Sequence, residues 1–202
     1  MNFTSKRADK DTLAIVKTNL GEITMVLYAE TPQHRKNFFK LTGEKYYDST
    51  TFHRIIKGFM IQGGDGNSKD DNPSNDGMGG PGYTVPAEFN PAFTHVQGAL
   101  AAARMGDGGN PEKRSSGSQF YLVENKDGTH FLDQNYTVYG LAIKGLDVIS
   151  KISEQPKSGG DRPNTNIKMT IKLVPIAKKK VTETYGYDYV SHTIKPELIK
   201  AK

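Results

Sequence analysis

A mainly β domain is what the sequence predicts, on three observations. The chain holds 21 Gly and 10 Pro, many short β-branched runs are bounded by turn residues, and only two segments carry helical signals. Such a set makes a barrel or a sandwich, and a barrel has the advantage of leaving no exposed edge. With 202 residues the chain can bury a sizeable core, and nothing in its composition demands a second domain.

Taken in order, Leu13–Lys17 and Ile23–Tyr28 read as a hairpin, because both are rich in β-branched and apolar residues and Thr18-Asn19-Leu20-Gly21 between them is turn chemistry. Thr31-Pro32 then gives an N-cap and a first-turn proline for a helix to Leu41, stopped at Gly43, with Phe38, Phe39 and Leu41 as core anchors. Residues 50–62 alternate as two short strands broken at Lys57-Gly58. The Gly-, Asn-, Asp- and Pro-dense stretch 65–82 is expected to be loop and to stay out of the core. Gly98–Arg104, Gln119–Val123 and Val138–Ala142 are further strands, Leu146–Ser153 a short helix after Gly145, and Met169–Val174 a closing strand. Residues 1–11 are set aside as an N-terminal extension, 12–176 as the domain, and 177–202, which lack a clear period, as an appended tail.

Several functions are excluded by composition. No Cys is present, so disulfides, thiolate zinc sites and a cysteine nucleophile are ruled out. His34, His53, His95, His130 and His192 include no pair at the i, i+4 spacing of a helical metal site, and no metal or cofactor is expected. The charge of +5 is scattered, with Lys178-Lys179-Lys180 the densest run, which argues against a nucleic-acid partner. No apolar stretch is long enough to span a membrane and residues 1–11 hold no apolar signal core, so a cytoplasmic monomer without a membrane partner is expected.

Three motifs are weak. Gly77-Met78-Gly79-Gly80-Pro81-Gly82 satisfies G-x-G-x-x-G but follows no strand and opens no helix. Asn72, Ser74, Asp76 and Gly77 imitate the start of a calcium loop, yet Tyr83 stands where a bidentate Glu is needed. Ser115, Ser116 and Ser118 lie around Gly117 without a nucleophile elbow or an evident His partner, and are expected to be turn residues.

The most informative run is Phe52–Asp65 (FHRIIKGFMIQGGD), in which one permanent cation and one amide sit among large apolar groups. That suits a groove for an uncharged peptide better than acid or base chemistry. If 59–62 is extended, Met60 and Gln62 share a face opposite Ile61, and Gln119 and Tyr121 share a face opposite Phe120. With Gly98–Arg104 (GALAAAR), Gly117–Tyr121 (GSQFY) followed by Leu122, and Phe131–Gly140 (FLDQNYTVYG), the run makes four blocks through which the chain resembles the cyclophilin-type peptidyl-prolyl cis–trans isomerases from about residue 12 to about 175.

The resemblance implies a closed eight-stranded antiparallel β-barrel capped by two helices, and an isomerase that rotates X–Pro bonds, assists protein folding and needs no cofactor. It implies Arg54 as the catalytic arginine, Phe59, Met60, Tyr121 and Leu132 as the proline pocket, and Phe131 at its rim. Gln62 corresponds to the residue that holds substrate backbone and steadies the arginine, Gln119 lies beside the groove, and Ala103 and Arg104 line the peptide's path. Four positions depart from the best-known eukaryotic pattern. Phe131 replaces a Trp that donates a hydrogen bond to cyclosporin, which implies weakened binding of that drug. Tyr136 replaces a pocket histidine, Arg104 an Asn, and Tyr121 a Phe. Partners implied are proline-containing peptides and unfolded or folding proteins. Two other classes of function stay open: a proline-peptide binding or chaperone module with little turnover, and a scaffold whose partner binds the Tyr-rich segment 183–190.

Overall fold

Eight antiparallel strands hydrogen-bond in the spatial order β10-β1-β2-β9-β6-β8-β4-β3 in the computed structural model, which describes residues 9–200. The strands of this sheet are β1 (Lys10–Thr18), β2 (Gly21–Leu27), β3 (Phe52–Ile56), β4 (Met60–Gly63), β6 (Ala99–Ala102), β8 (Phe120–Val123), β9 (Val138–Lys144) and β10 (Thr170–Ala177). Short pairs add β5 (Thr84–Val85) with β7 (Ser115–Ser116), and β11 (Tyr187–Asp188) with β12 (Thr193–Ile194). The α-helices among the described residues are α1 (Pro32–Gly43), α2 (Leu146–Ser153) and α3 (Lys178–Tyr185).

The mainly β architecture matches the sequence reading, but a closed barrel with two helices does not describe it. The ladder is open, with β3 and β10 as its edges and no ladder between them. The chain meets only around the start of each edge strand: Thr51 bridges Lys168, Met169 donates to the Thr50 carbonyl at 2.8 Å, and Phe52 to that of Ile167 at 3.0 Å. The third helix, α3, comes from the tail.

Period-two alternation gives the sheet two apolar faces. Ile61, Phe120, Leu122, Leu100 and Ala102 point to the inner face with Phe38 and Leu41 of α1 and Val148, Ile149 and Ile152 of α2. Met60, Tyr121, Val123, Ala99, Ala101 and Val138 point to the outer face. Helix α1 begins as expected, but Thr31 makes no side-chain cap. The Glu88 carboxylate caps it instead, accepting from the backbone amides of Gln33 at 3.0 Å and His34 at 2.9 Å, and a carboxylate there also complements the helix dipole.

The stretch 65–82 is not wholly outside the core. Asp65 and Ser68 are buried, and Asp65 accepts from the backbone amides of Asn67 and Gly77, folding the loop back on itself.

Residues after β10 pack on the outer face rather than trailing away. Val181 and Tyr187 are fully buried in its apolar cluster, with Tyr185, Tyr189 and Ile194 packed against it. Helix α3 stops at Gly186, whose φ of 70° is left-handed and whose amide donates to the Thr182 carbonyl at 2.8 Å. The tyrosines of 183–190 are thus used within the chain itself.

Candidate functional site

The open end of the outer face is built around a bulge. In the β3–β4 pair, Phe52 faces Gly63 while Arg54 faces Gln62, so His53 is an extra residue on β3. Strict alternation would put Phe52 and Arg54 on one side. The bulge lets Phe52 and Ile55 both reach the inner core while Arg54 emerges on the outer face beside Gln62. His53 is buried, and burial pushes its pKa down.

The Arg54 side chain remains 43% exposed. It donates no hydrogen bond among the described residues, and its nearest countercharge is Asp161, 4.0 Å from Nε. Gln62 does not steady the guanidinium: its Nε2 donates to Gln119 Oε1 at 3.0 Å. Gln119 Nε2 in turn donates to the carbonyls of Gly77 at 3.0 Å and Gly79 at 2.8 Å. The loop that imitates a dinucleotide motif therefore fixes the amide beside the groove.

Next to Arg54 lies an apolar floor. Gln62 pairs with Tyr121 across β4 and β8, and Met60 and Tyr121 are buried on the same face. Phe59 and Leu132 pack against this cluster, and Phe131, 73% exposed, stacks on Phe59 with ring centroids 5.9 Å apart. Tyr136 meets Tyr121 edge-on at 6.0 Å. Ala103 is fixed by backbone bonds at both ends, donating to Gln119 and accepting from Ser116. Arg104 is tied inward, its guanidinium 4.4 Å from the Tyr136 ring centroid, bonding the Asn135 carbonyl at 2.8 Å and Asp107 at 2.6 Å. Every site residue that the resemblance implies thus lies in one connected patch, with Arg54 its one cation free of hydrogen bonds among the described residues.

Two contacts went unforeseen. The Tyr121 hydroxyl lies 2.9 Å from His95 Nε2, and His95 Nδ1 lies 2.6 Å from Asp133; a lone histidine gave no signal of either. Ser115 does have a histidine partner, contrary to the sequence reading: its Oγ is 2.9 Å from His34 Nε2, and His34 Nδ1 is 2.6 Å from Glu88. This has the connectivity of a nucleophilic triad, but Ser115 is only 2% exposed and the adjoining cavity measures about 10 Å³, so no substrate reaches it. It is a fastening between α1 and the β5–β7 pair. A larger cavity of about 170 Å³ lies away from Arg54, between β2 and the tail, among Asp11, Tyr28, Arg35, Tyr187, Tyr189 and His192. Its polar groups largely satisfy one another: Asp11 accepts from Arg35 at 2.7 Å and Tyr189 at 2.9 Å, and the Tyr187 hydroxyl bonds His192 at 2.7 Å. Neither cavity is lined by Arg54, Met60 or Tyr121.

Comparison with known proteins bears on the family. Residues 13–172 match the family model described as cyclophilin type peptidyl-prolyl cis-trans isomerase/CLD. A Neurospora crassa protein named peptidyl-prolyl cis-trans isomerase-like 1 is 38% identical over 159 residues, covering 76% of this chain and 88% of that one. A Gibberella zeae protein named peptidyl-prolyl cis-trans isomerase-like 2 is 35% identical over 181 residues, 86% of this chain but only 29% of the relative. Among solved structures, a Cryptosporidium parvum cyclophilin type peptidyl-prolyl cis-trans isomerase superposes with a TM-score of 0.70 at 27% identity, over 82% of this chain and 98% of that one. The same protein was also crystallised in the presence of the dipeptide Ala-Pro, and that structure superposes at 0.69.

Proposed function

The chain belongs to the cyclophilin-type peptidyl-prolyl cis–trans isomerases, enzymes that need no cofactor, and from that premise we propose that it rotates X–Pro bonds at the patch around Arg54. The observation that carries this reading is a half-exposed guanidinium, free of hydrogen bonds among the described residues, standing beside an apolar floor of Met60 and Tyr121.

An X–Pro amide turns slowly because rotation breaks resonance across a barrier of roughly 18–20 kcal/mol. In the twisted amide the prolyl nitrogen becomes pyramidal and regains a lone pair. A guanidinium directed at that nitrogen stabilises the twisted state and does little for the planar one. Arginine suits the task because it keeps its charge at any physiological pH. Phe59, Met60, Tyr121 and Leu132 grip the proline ring and lower the local dielectric, with Phe131 and Tyr136 at the margin. Gln62, Gln119 and the Ala103–Arg104 segment hold the flanking backbone, so that one side of the bond stays still while the other turns. A gain of about 10⁴ needs roughly 5.5 kcal/mol, within reach of one preorganised charge plus positioning.

Proline-containing peptides and folding chains are the substrates this reading implies; the Ala-Pro dipeptide used with the Cryptosporidium relative has the same chemistry. The test is an isomerisation assay on a proline tetrapeptide with the wild type and Arg54→Ala. The variant should lose about 10²- to 10³-fold in kcat/KM while keeping its fold. Background rates for both proteins would leave a binding module as the function.

A further inference from the structure

The hydroxyl that distinguishes Tyr121 from an apolar pocket residue is not idle. His95 is fully buried directly behind it, with Nε2 2.9 Å from the hydroxyl and the two rings nearly parallel, 12° apart at 6.0 Å between centroids. On its other side, His95 holds the turn that carries the pocket's far wall. Asp133 Oδ1 lies 2.6 Å from His95 Nδ1 and accepts from the His95 backbone amide at 2.8 Å, while the His95 carbonyl accepts from the Thr129 amide at 2.8 Å. Both ends of the turn bearing Phe131 and Leu132 are therefore pinned to one residue. The approach is close enough to dictate sequence: at Gly128, φ +80°, a Cβ would come within 2.6 Å of the His95 carbonyl oxygen.

The proton positions follow from what each atom can do. Asp133 as a carboxylate only accepts, so Nδ1 carries the proton, which leaves Nε2 to accept from the Tyr121 hydroxyl. Ionisation states agree with this. Burial holds His95 below its ordinary value against the pull of Asp133, and burial holds the Tyr121 phenol protonated. Asp133 stays ionised because bonds from His95 and His130 outweigh its own desolvation.

We propose that His95 is a positioning residue for the isomerase site, locking the ring of Tyr121 at the pocket floor to the Thr129–Asp133 turn that carries Phe131 and Leu132. The proposal rests on the reading of this patch as the proline pocket. A floor and wall fixed to one another hold the ring in ground and transition states alike, so the loss on breaking the lock falls on KM rather than kcat.

The experiment compares wild type, Tyr121→Phe, His95→Gln and His95→Asn in kcat and KM for an Ala-Pro-containing tetrapeptide, alongside the imidazole ¹⁵N spectrum of His95. A glutamine amide reaches the Nε2 position and can keep the Tyr121 bond; an asparagine amide reaches only the Nδ1 position and keeps Asp133. Tyr121→Phe and His95→Asn should raise KM about three- to tenfold with kcat little changed, and His95→Gln should stay within about twofold of wild type. Wild-type KM in Tyr121→Phe, or equal impairment by Gln and Asn, overturns the lock while leaving the isomerase reading intact. Should the wild type itself show no turnover, the isomerase reading falls and the ¹⁵N spectrum decides the lock alone. A neutral Nδ1–H tautomer with a hydrogen-bonded Nε2, released in Tyr121→Phe, sustains the lock, and an Nε2–H tautomer overturns it.

Discussion

The outer face of the sheet carries one apolar layer whose two ends are finished differently. At the end formed by β1 and β2, the tail closes over it, and Val181 and Tyr187 are buried as completely as any residue of the inner core. At the end formed by β3, β4 and β8, the layer is left open, and Arg54, Gln62 and Gln119 stand among Phe59, Met60 and Tyr121. The chemistry is the same in both places, aromatic rings on a pleated surface. What separates them is whether the chain supplies its own cover: the tail lies over one end, while Arg54 and Phe131 stand exposed at the other.

Removing the cover should break the contrast most severely. Deletion of 177–202 uncovers the sites of Val181 and Tyr187, each worth about 1.5–3 kcal/mol on burial, so urea denaturation should show a loss of roughly 3–6 kcal/mol. An unchanged midpoint would mean that the tail is a passenger.

Stability should next fall at both limits of the pH range. His34, His53 and His95 are held below their ordinary pKa, chiefly by burial, with Glu88, Asp65 and Asp133 respectively opposing it. Each stays neutral in the fold while the unfolded chain takes up its proton, so stability is full above about pH 6.5 and falls as pH drops below it. Burial raises the pKa of Tyr28, Tyr187 and Tyr189 at the covered end and of Tyr121 at the open one. At these tyrosines the unfolded chain loses protons first, and stability falls as pH rises above about 10. Denaturation at intervals from pH 5 to 11 should show both limbs, and His53→Leu should flatten only the acid one.

The smallest effect is the most telling. Arg54→Ala should change stability by less than about 0.5 kcal/mol, because its one ion-pair contact is long and solvent-exposed, even as turnover collapses. A large stability loss there would make the arginine part of the scaffold.

Much of this was legible in the sequence. The hairpin, α1, α2 and the strands that carry the site all announce themselves by alternation or by caps, and Met60, Gln62, Gln119 and Tyr121 fall on the predicted faces. The tail did not, because α3 and the β11–β12 hairpin are short pieces whose buried residues, Val181 and Tyr187, follow no single period; docking on the outer face stabilises them. The role of Glu88 as a helix cap and of His95 behind Tyr121 were invisible for a related reason. Each depends on a partner 26 or more positions away, and a lone polar residue in a sequence does not name its partner. Arg54 was legible as a residue, but its exposure depends on a bulge that alternation alone hides.

The pairing of β1 with β10 sets Lys10 opposite Ala177 and Lys17 opposite Thr170, joining strands near opposite ends of the described chain. Such a ladder can form only after a very long loop has been closed, which makes it a slow, late contact in folding. Until it zips, β1 has only β2 as a partner and the layer that receives the tail lacks one of its strands. This enzyme of proline rotation is thus expected to gain its own final shape last where its two ends meet, long after the β3–β4 hairpin bearing Arg54 has formed locally.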